Sequence, residues 1–192
     1  MADFNNPVPV SPLAGAPQPE GGITLTEVPF VGKVNLRGDI NDPAFADAAK
    51  KVIGVALPAD ANTTASGSGN TVYWLGPNEW LIHTPRDGEQ AMVDGLRSAL
   101  SGVHAAVTDV SDYYVVFDIG GPRARESLMR GCPLDVHESK FKAGQCAQTV
   151  FVKASILLHC TSDAPSYRVQ VRWTYAQYLW NYFETTARQW AA

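Results

Sequence analysis

Short segments in which apolar and polar residues alternate recur along the chain, separated by turn residues or by stretches of helical spacing. Residues 23–28 (ITLTEV) and 33–39 (KVNLRGD) read as strands. The segment 42–54 (DPAFADAAKKVIG) follows with a helical period. Asp42 suits the N-cap, Pro43 the first turn, and Gly54 the stop. Residues 57–70 (LPADANTTASGSGN) form a polar loop. The next run, 71–85 (TVYWLGPNEWLIHTP), is a β-hairpin turning at Pro77-Asn78. Residues 87–100 then predict an amphipathic helix with Met92, Leu96, Ala99 and Leu100 on one face, and Asp87 and Gln90 fit a capping box.

Five strands complete the chain before a last helix. Two are 104–110 (HAAVTDV) and 113–119 (YYVVFDI). In the second, Tyr113, Val115, Phe117 and Ile119 point one way, and Tyr114, Val116 and Asp118 the other. Residues 147–162 and 167–173 contain three more. In the last of these, Tyr167, Val169, Val171 and Trp173 make an apolar face, and Arg168, Gln170 and Arg172 a polar one. The closing helix covers roughly 174–190. Strands come in pairs between helices, which predicts an α+β fold of largely antiparallel sheets with flanking helices, a ferredoxin-like unit repeated. The first 22 residues hold Pro7, Pro9, Pro12, Pro17 and Pro19 and little apolar periodicity. They read as an extended arm, either a floppy tail or a segment lying along a neighbour. Residues 23–192 read as one domain.

Composition narrows the function. The chain has 192 residues, 45% apolar and 18% charged, with a net charge of -4. That is an ordinary globular composition, and it lacks the basic footprint that nucleic acid or an anionic membrane requires. No apolar run approaches the ~20 residues of a membrane span. The N-terminus does not have the basic and apolar regions of a signal peptide, which points to the cytoplasm. Cys132, Cys146 and Cys160 then read as free thiols of a reducing compartment. His83, His104, His137 and His159 are scattered singly, with no zinc-binding spacing, and read as surface or hydrogen-bonded residues.

The strand–Gly120-Gly121-Pro122–helix–Gly131 segment invites a phosphate-binding reading, because helix N-termini bind anions. It lacks both glycine-rich phosphate motifs, and Pro122 removes an amide from the turn. A plain strand–turn–helix unit is the preferred reading. Arg123 and Arg125 oppose the helix dipole in its first turn and read either as solvated surface charges or as a candidate interface. No nucleophile elbow and no working pair of carboxylates is present. Cys132 has no base beside it in sequence and reads as structural. In the last helix, Ala176, Leu179, Trp180, Phe183, Ala187 and Trp190 share one stripe. Tyr175, Tyr178 and Tyr182 form a second stripe, read either as a partner interface or as a core that wraps further round the helix.

Three segments together carry a family resemblance: 75–82 (LGPNEWLI), 109–136 (DVSDYYVVFDIGGPRARESLMRGCPLDV), and 144–160 followed by 167–183. In their order they resemble the gamma subunits of heterotetrameric sarcosine oxidases. The strand–Gly-Pro–helix–Gly unit is also similar to the folate-binding aminomethyltransferases. The resemblance implies a non-catalytic subunit of a complex that oxidises the N-methyl group of sarcosine, giving glycine, formaldehyde or methylene-tetrahydrofolate, and hydrogen peroxide. It implies alpha, beta and delta partner subunits carrying FAD, FMN, NAD, folate and zinc, with no cofactor, metal or catalytic residue on this chain. A gamma-type subunit of a related N-methyl amino acid oxidase or dehydrogenase is a neighbouring reading. A stand-alone folate-binding protein would need a carboxylate in a deep cleft, for which Asp109, Asp112 and Asp118 are the candidates. A free-standing small-molecule binder would need a closed apolar pocket.

Overall fold

The alternating segments assemble into two five-stranded antiparallel sheets in the computed structural model, which describes residues 8–191. In chain order the elements are β1 Thr24–Glu27, β2 Gly32–Arg37, α1 Pro43–Ile53, β3 Thr64–Gly67, β4 Asn70–Gly76, β5 Glu79–Thr84, α2 Glu89–Ala99, β6 Ala106–Asp109, β7 Tyr114–Gly120, α3 Ala124–Met129, β8 Cys146–Phe151, β9 Ala154–Ser162, β10 Ser166–Arg172 and α4 Ala176–Arg188. One sheet has the order β3-β4-β5-β2-β6 and the other β1-β7-β10-β9-β8.

The first sheet realises the ferredoxin-like pattern: β2-α1-β4-β5-α2-β6, with β3 added at the edge. The second does not repeat it. Only residues 163–165 join β9 to β10, too short for a crossover helix, so β8, β9 and β10 run as a meander and α4 follows the last strand.

Each sheet buries its outer face under its own helices. Val34, Leu36, Val72, Trp80 and Ile82 pack with Phe45, Ala49 and Ile53 of α1 and with Met92, Val93 and Leu96 of α2. On the other side Phe117, Ile119, Tyr167, Val169 and Val171 pack with Leu128 of α3 and with Leu179, Trp180 and Phe183 of α4. The inner faces of the two sheets meet through Tyr73, Leu81, Cys146 and Leu157. The layers therefore run helices, sheet, sheet, helices.

Local chemistry explains most boundaries. Asp42 accepts a hydrogen bond from Ala44 N at 2.9 Å, Pro43 occupies the first turn, and left-handed Gly54 ends α1 by donating to Lys50 O. The capping box expected at α2 does not form. Gly88 N donates to Pro85 O, which sets the turn into the helix, Asp87 is turned outward with φ 62°, and Gln90 instead bonds Asp94. Val93, not Ala99, completes the buried face of α2, because the helix ends at Ala99 and leaves that residue exposed. Residues 64–67 and 70 of the expected polar loop are strand. β3 pairs with β4 through a two-residue turn, Ser68-Gly69, with positive φ at both positions.

The described part of the Pro-rich arm, residues 8–22, packs on the domain. Leu13 is buried in the cluster beneath α4, Trp180 Nε1 donates to Pro17 O at 2.6 Å, and Ser11 donates to Glu27. Residues 1–7 of that arm lie outside the described region.

At the Gly-Gly-Pro turn, Gly121 has φ 96°, and a Cβ there would stand 2.5 Å from Gly22 O. Arg123 N donates to that same carbonyl at 3.1 Å. The turn thus receives the incoming chain ahead of β1, and α3 starts only at Ala124. Gly121→Ala is expected to lower stability in urea unfolding by about 1–3 kcal/mol through strain and clash. Gly102→Ala, with φ 82° but nothing within 4 Å, should cost less.

Candidate functional site

The layer between the sheets holds most of the buried polar chemistry. Of the polar face of β10, Arg168 and Gln170 turn toward the other sheet, whereas Arg172 at its end stays exposed. Arg168 grips Asp118 of β7 through two hydrogen bonds of 2.8 and 2.9 Å. Gln170 is buried, and its Oε1 accepts from His83 Nε2 at 2.6 Å. Tyr73 stands between two imidazoles, with its ring 4.6 Å from that of His83 and 5.3 Å, edge-on, from that of His159. Lys33 is buried beside them, and its Nζ donates to Val31 O at 2.6 Å and Ser111 O at 3.0 Å.

Burial governs the protonation of these groups. It pushes the His83 imidazole down to about 3 and that of His159 to about 4, and it raises the Tyr73 phenol to about 12. Lys33 is lowered to about 8, with Asp112, Glu89 and Asp109 opposing the loss of its charge. Neutral imidazoles and a satisfied ammonium sealed between sheets form a structural layer. The other histidines are elsewhere: His137 bonds Ser139, and His104 is exposed.

The three carboxylates considered for folate do not converge. Asp118 is held by Arg168, Asp109 accepts from Ser111 N and Oγ in a local turn, and Asp112 is exposed. Cys132, Cys146 and Cys160 are buried free thiols, and burial pushes the Cys146 thiol up to about 11, away from reactivity. Among the described residues, no three His, Cys, Asp or Glu side chains group as a metal site, and no helix is long and apolar enough to cross a membrane.

The outer surface offers a different kind of site. Open clefts of about 340, 520 and 440 Å³ converge on Tyr114, and Trp173 borders the first two. They are open and mixed in polarity, unlike the closed pocket of a small-molecule binder. Tyr113 and Tyr114 meet edge-on at 4.6 Å, and the Arg172 guanidinium lies over the Tyr113 ring at 5.1 Å. Trp173, expected to extend the apolar face of β10, leaves the strand in a 3₁₀ turn and is 54% exposed. Sequence reading missed this cluster because a strand's alternation does not show where the strand stops.

The expected interface residues divide. Tyr175 and Tyr178 are each 38% exposed and touch edge-on, one turn beyond Trp173. Tyr182 is half-buried, edge-on to Phe151 at 5.2 Å, because the end of β8 reaches that side of α4. Arg123 pairs with Glu126 at 2.7 Å and lies over Trp190 at the far end of α4. Arg125 donates to Tyr167 Oη and to Glu138. Arg123 and the exposed tyrosines therefore lie at opposite ends of α4, about 20 Å apart at the rise of an α-helix.

This architecture places the chain with a known class of fold. The structure superposes on an aminomethyltransferase T of the glycine cleavage system from Bartonella henselae, with a TM-score of 0.65 and 11% identity, covering 85% of this chain and 46% of that one. At that identity the likeness is one of fold alone. A chain of the heterotetrameric sarcosine oxidase from Corynebacterium sp. U-96, solved with pyrrole 2-carboxylate, superposes with a TM-score of 0.86 and 28% identity, covering 96% of this chain and 97% of that one. In sequence, the sarcosine oxidase subunit gamma of Corynebacterium sp. (strain U-96) is 32% identical over 163 residues, 83% of this chain and 76% of that protein. The profile of the sarcosine oxidase, gamma subunit family matches residues 37–189. The chain belongs to that family.

Asp118→Asn is expected to cost about 1–3 kcal/mol in chemical denaturation, because it leaves the Arg168 guanidinium without its anion. Asp112→Asn, on the surface, should stay within about 0.5 kcal/mol.

Proposed function

We propose that this chain is a non-catalytic, accessory subunit of a heterotetrameric sarcosine oxidase, a flavin-dependent complex that demethylates sarcosine to glycine. The observation that carries this reading is the superposition over nearly the whole of both chains on a chain of such a complex. In this reading the partners are alpha, beta and delta subunits, which hold FAD, FMN, NAD, folate and zinc, and the complex is cytoplasmic. Residues 23–192 act as one domain, with the Pro-rich arm strapped to it through Leu13 and Pro17.

The contact surface centres on Tyr175, Tyr178 and Trp173. These are large side chains left in solvent beside clefts, and Trp and Tyr dominate the energetics of protein contacts. Tyr182, Arg123 and Arg125 lie outside that centre, each engaged within the chain. A folate-binding reading is disfavoured by the Asp118–Arg168 pair, which occupies the one candidate carboxylate that lies between the sheets.

Affinity purification of the tagged chain, coexpressed with its partner subunits, tests the reading. The expected eluate is yellow, contains larger flavoprotein subunits and oxidises sarcosine; a colourless eluate of this chain alone overturns it. Trp173→Ala and Tyr178→Ala should each weaken assembly by about 2 kcal/mol, roughly 30-fold, while leaving the unfolding midpoint of the isolated chain unchanged.

A further inference from the structure

The apolar contact between the sheets is small, whereas larger and separate apolar clusters tie each sheet to its own helices. Around Tyr73 and Cys146 of that contact the layer is polar. The first sheet supplies Lys33 from β2 and His83 from β5. The second supplies Asp118 from β7, His159 from β9, and Arg168 and Gln170 from β10. Around Lys33 stand three more carboxylates: Asp109 on β6, Asp112 in the turn after it, and Glu89 on α2.

This layer fits neutral imidazoles only. His83 uses Nε2 on Gln170, and its Nδ1 is buried with no partner. A proton placed on Nδ1 finds no acceptor. It also stands beside Lys33, the cross-strand partner of His83, and in the field of Arg168. His159 is the cross-strand partner of Arg168 itself. Asp118, the anion whose field reaches His159, is already held by the guanidinium. Charging the two histidines adds two cations to a site that holds two already, and an uncompensated buried charge draws in water.

One end of the layer is stitched by backbone. Thr63 and Gln145 form a bridge, Thr64 N donates to Gly144 O at 2.9 Å, and Cys146 N donates to Asn62 O at 2.8 Å. We propose that the inter-sheet layer is an acid-sensitive joint: protonation of His83 and His159 loosens the contact between the sheets and admits water, while the Thr63–Gln145 stitch at one edge and the short connections 28–31 and 110–113 at the other keep the sheets tethered and each sheet keeps its own helices. Trp80 and Trp180, buried on the two helix-facing sides, stay packed as the joint opens.

The sign follows from proton linkage. The closed layer holds His83 near 3 and His159 near 4, and an opened layer returns them toward the ordinary 6.5. The open form binds more protons between those limits, so the closed form loses stability as pH falls from about 6.5 toward about 4. Lys33 stays protonated throughout, and Tyr73 and Cys146 stay neutral.

Site-resolved thiol labelling of the full chain tests the joint. A Leu81→Cys reporter sits on the inter-sheet face, and Cys132 and Cys160 report from the helix side. An aromatic disulfide reagent that remains reactive in acid is applied at about pH 7.5 and about pH 5, and each rate is normalised to the urea-unfolded chain. The reporter at position 81 should lose about 10-fold or more of its protection in acid relative to Cys132 and Cys160, with the far-UV circular dichroism unchanged. In the unmodified chain, imidazole NMR should show His83 and His159 taking up protons in one shared step while the tryptophan fluorescence stays native. Equal deprotection of the thiols at positions 81, 132 and 160, or imidazoles that stay neutral until the whole chain unfolds, overturns the proposal. His83→Gln and His159→Gln, made singly, should each remove part of the pH dependence; a response unchanged in both also overturns it.

Discussion

Two sheets that each carry helices on one face must meet on the other, and that meeting is the constraint on which the structure depends. The outer faces are satisfied by ordinary apolar packing under α1 and α2 on one side and α3 and α4 on the other. The inner faces carry Arg168, Asp118, Gln170, His83, Tyr73 and Lys33, and burying them requires that each finds a partner. The Asp118–Arg168 pair meets that requirement within one sheet. The His83–Gln170 and Tyr73–His159 contacts meet it across the two sheets. Backbone carbonyls of Val31 and Ser111 absorb the Lys33 ammonium. A layer of this kind ties particular residues of one sheet to particular residues of the other.

That arrangement shapes what the chain does. The groups with chemical potential are consumed in holding the sheets together: carboxylate by guanidinium, ammonium by carbonyls, imidazole by amide. The chain's free chemistry lies on its surface, where Trp173, Tyr175 and Tyr178 extend from the end of β10 into the start of α4. A subunit whose polar interior is occupied and whose aromatic surface is exposed is suited to assembly. Membership of the sarcosine oxidase, gamma subunit family agrees with that division.

Much of the fold was legible from local pattern. The cap of α1, the hairpin turn at Pro77-Asn78 and the core stripe of α4 each depend on neighbours within a few residues, so their signals survive in the sequence. The departures share a cause. The capping box of α2 failed because the Pro85–Gly88 turn set the backbone ahead of it. Tyr182 left the exposed stripe because Phe151, 31 positions earlier in the numbering, reaches it from β8. Trp173 left the core because its strand ended one residue sooner than its alternation implied.

By itself the sequence determined most of the elements, the antiparallel class, the absence of a basic footprint and, through the order of three segments, the family. Those properties follow from composition, from periods of two and 3.6 residues, and from order along the chain. The tertiary structure alone decided that Arg168 and Gln170 on the polar face of β10 are interior, that Tyr73 lies between two histidines, and which tyrosines remain in solvent. Alternation says that two faces of a strand differ, but not what covers the polar one. Here a second sheet covers it, and only the folding of distant strands onto each other brings that cover into place.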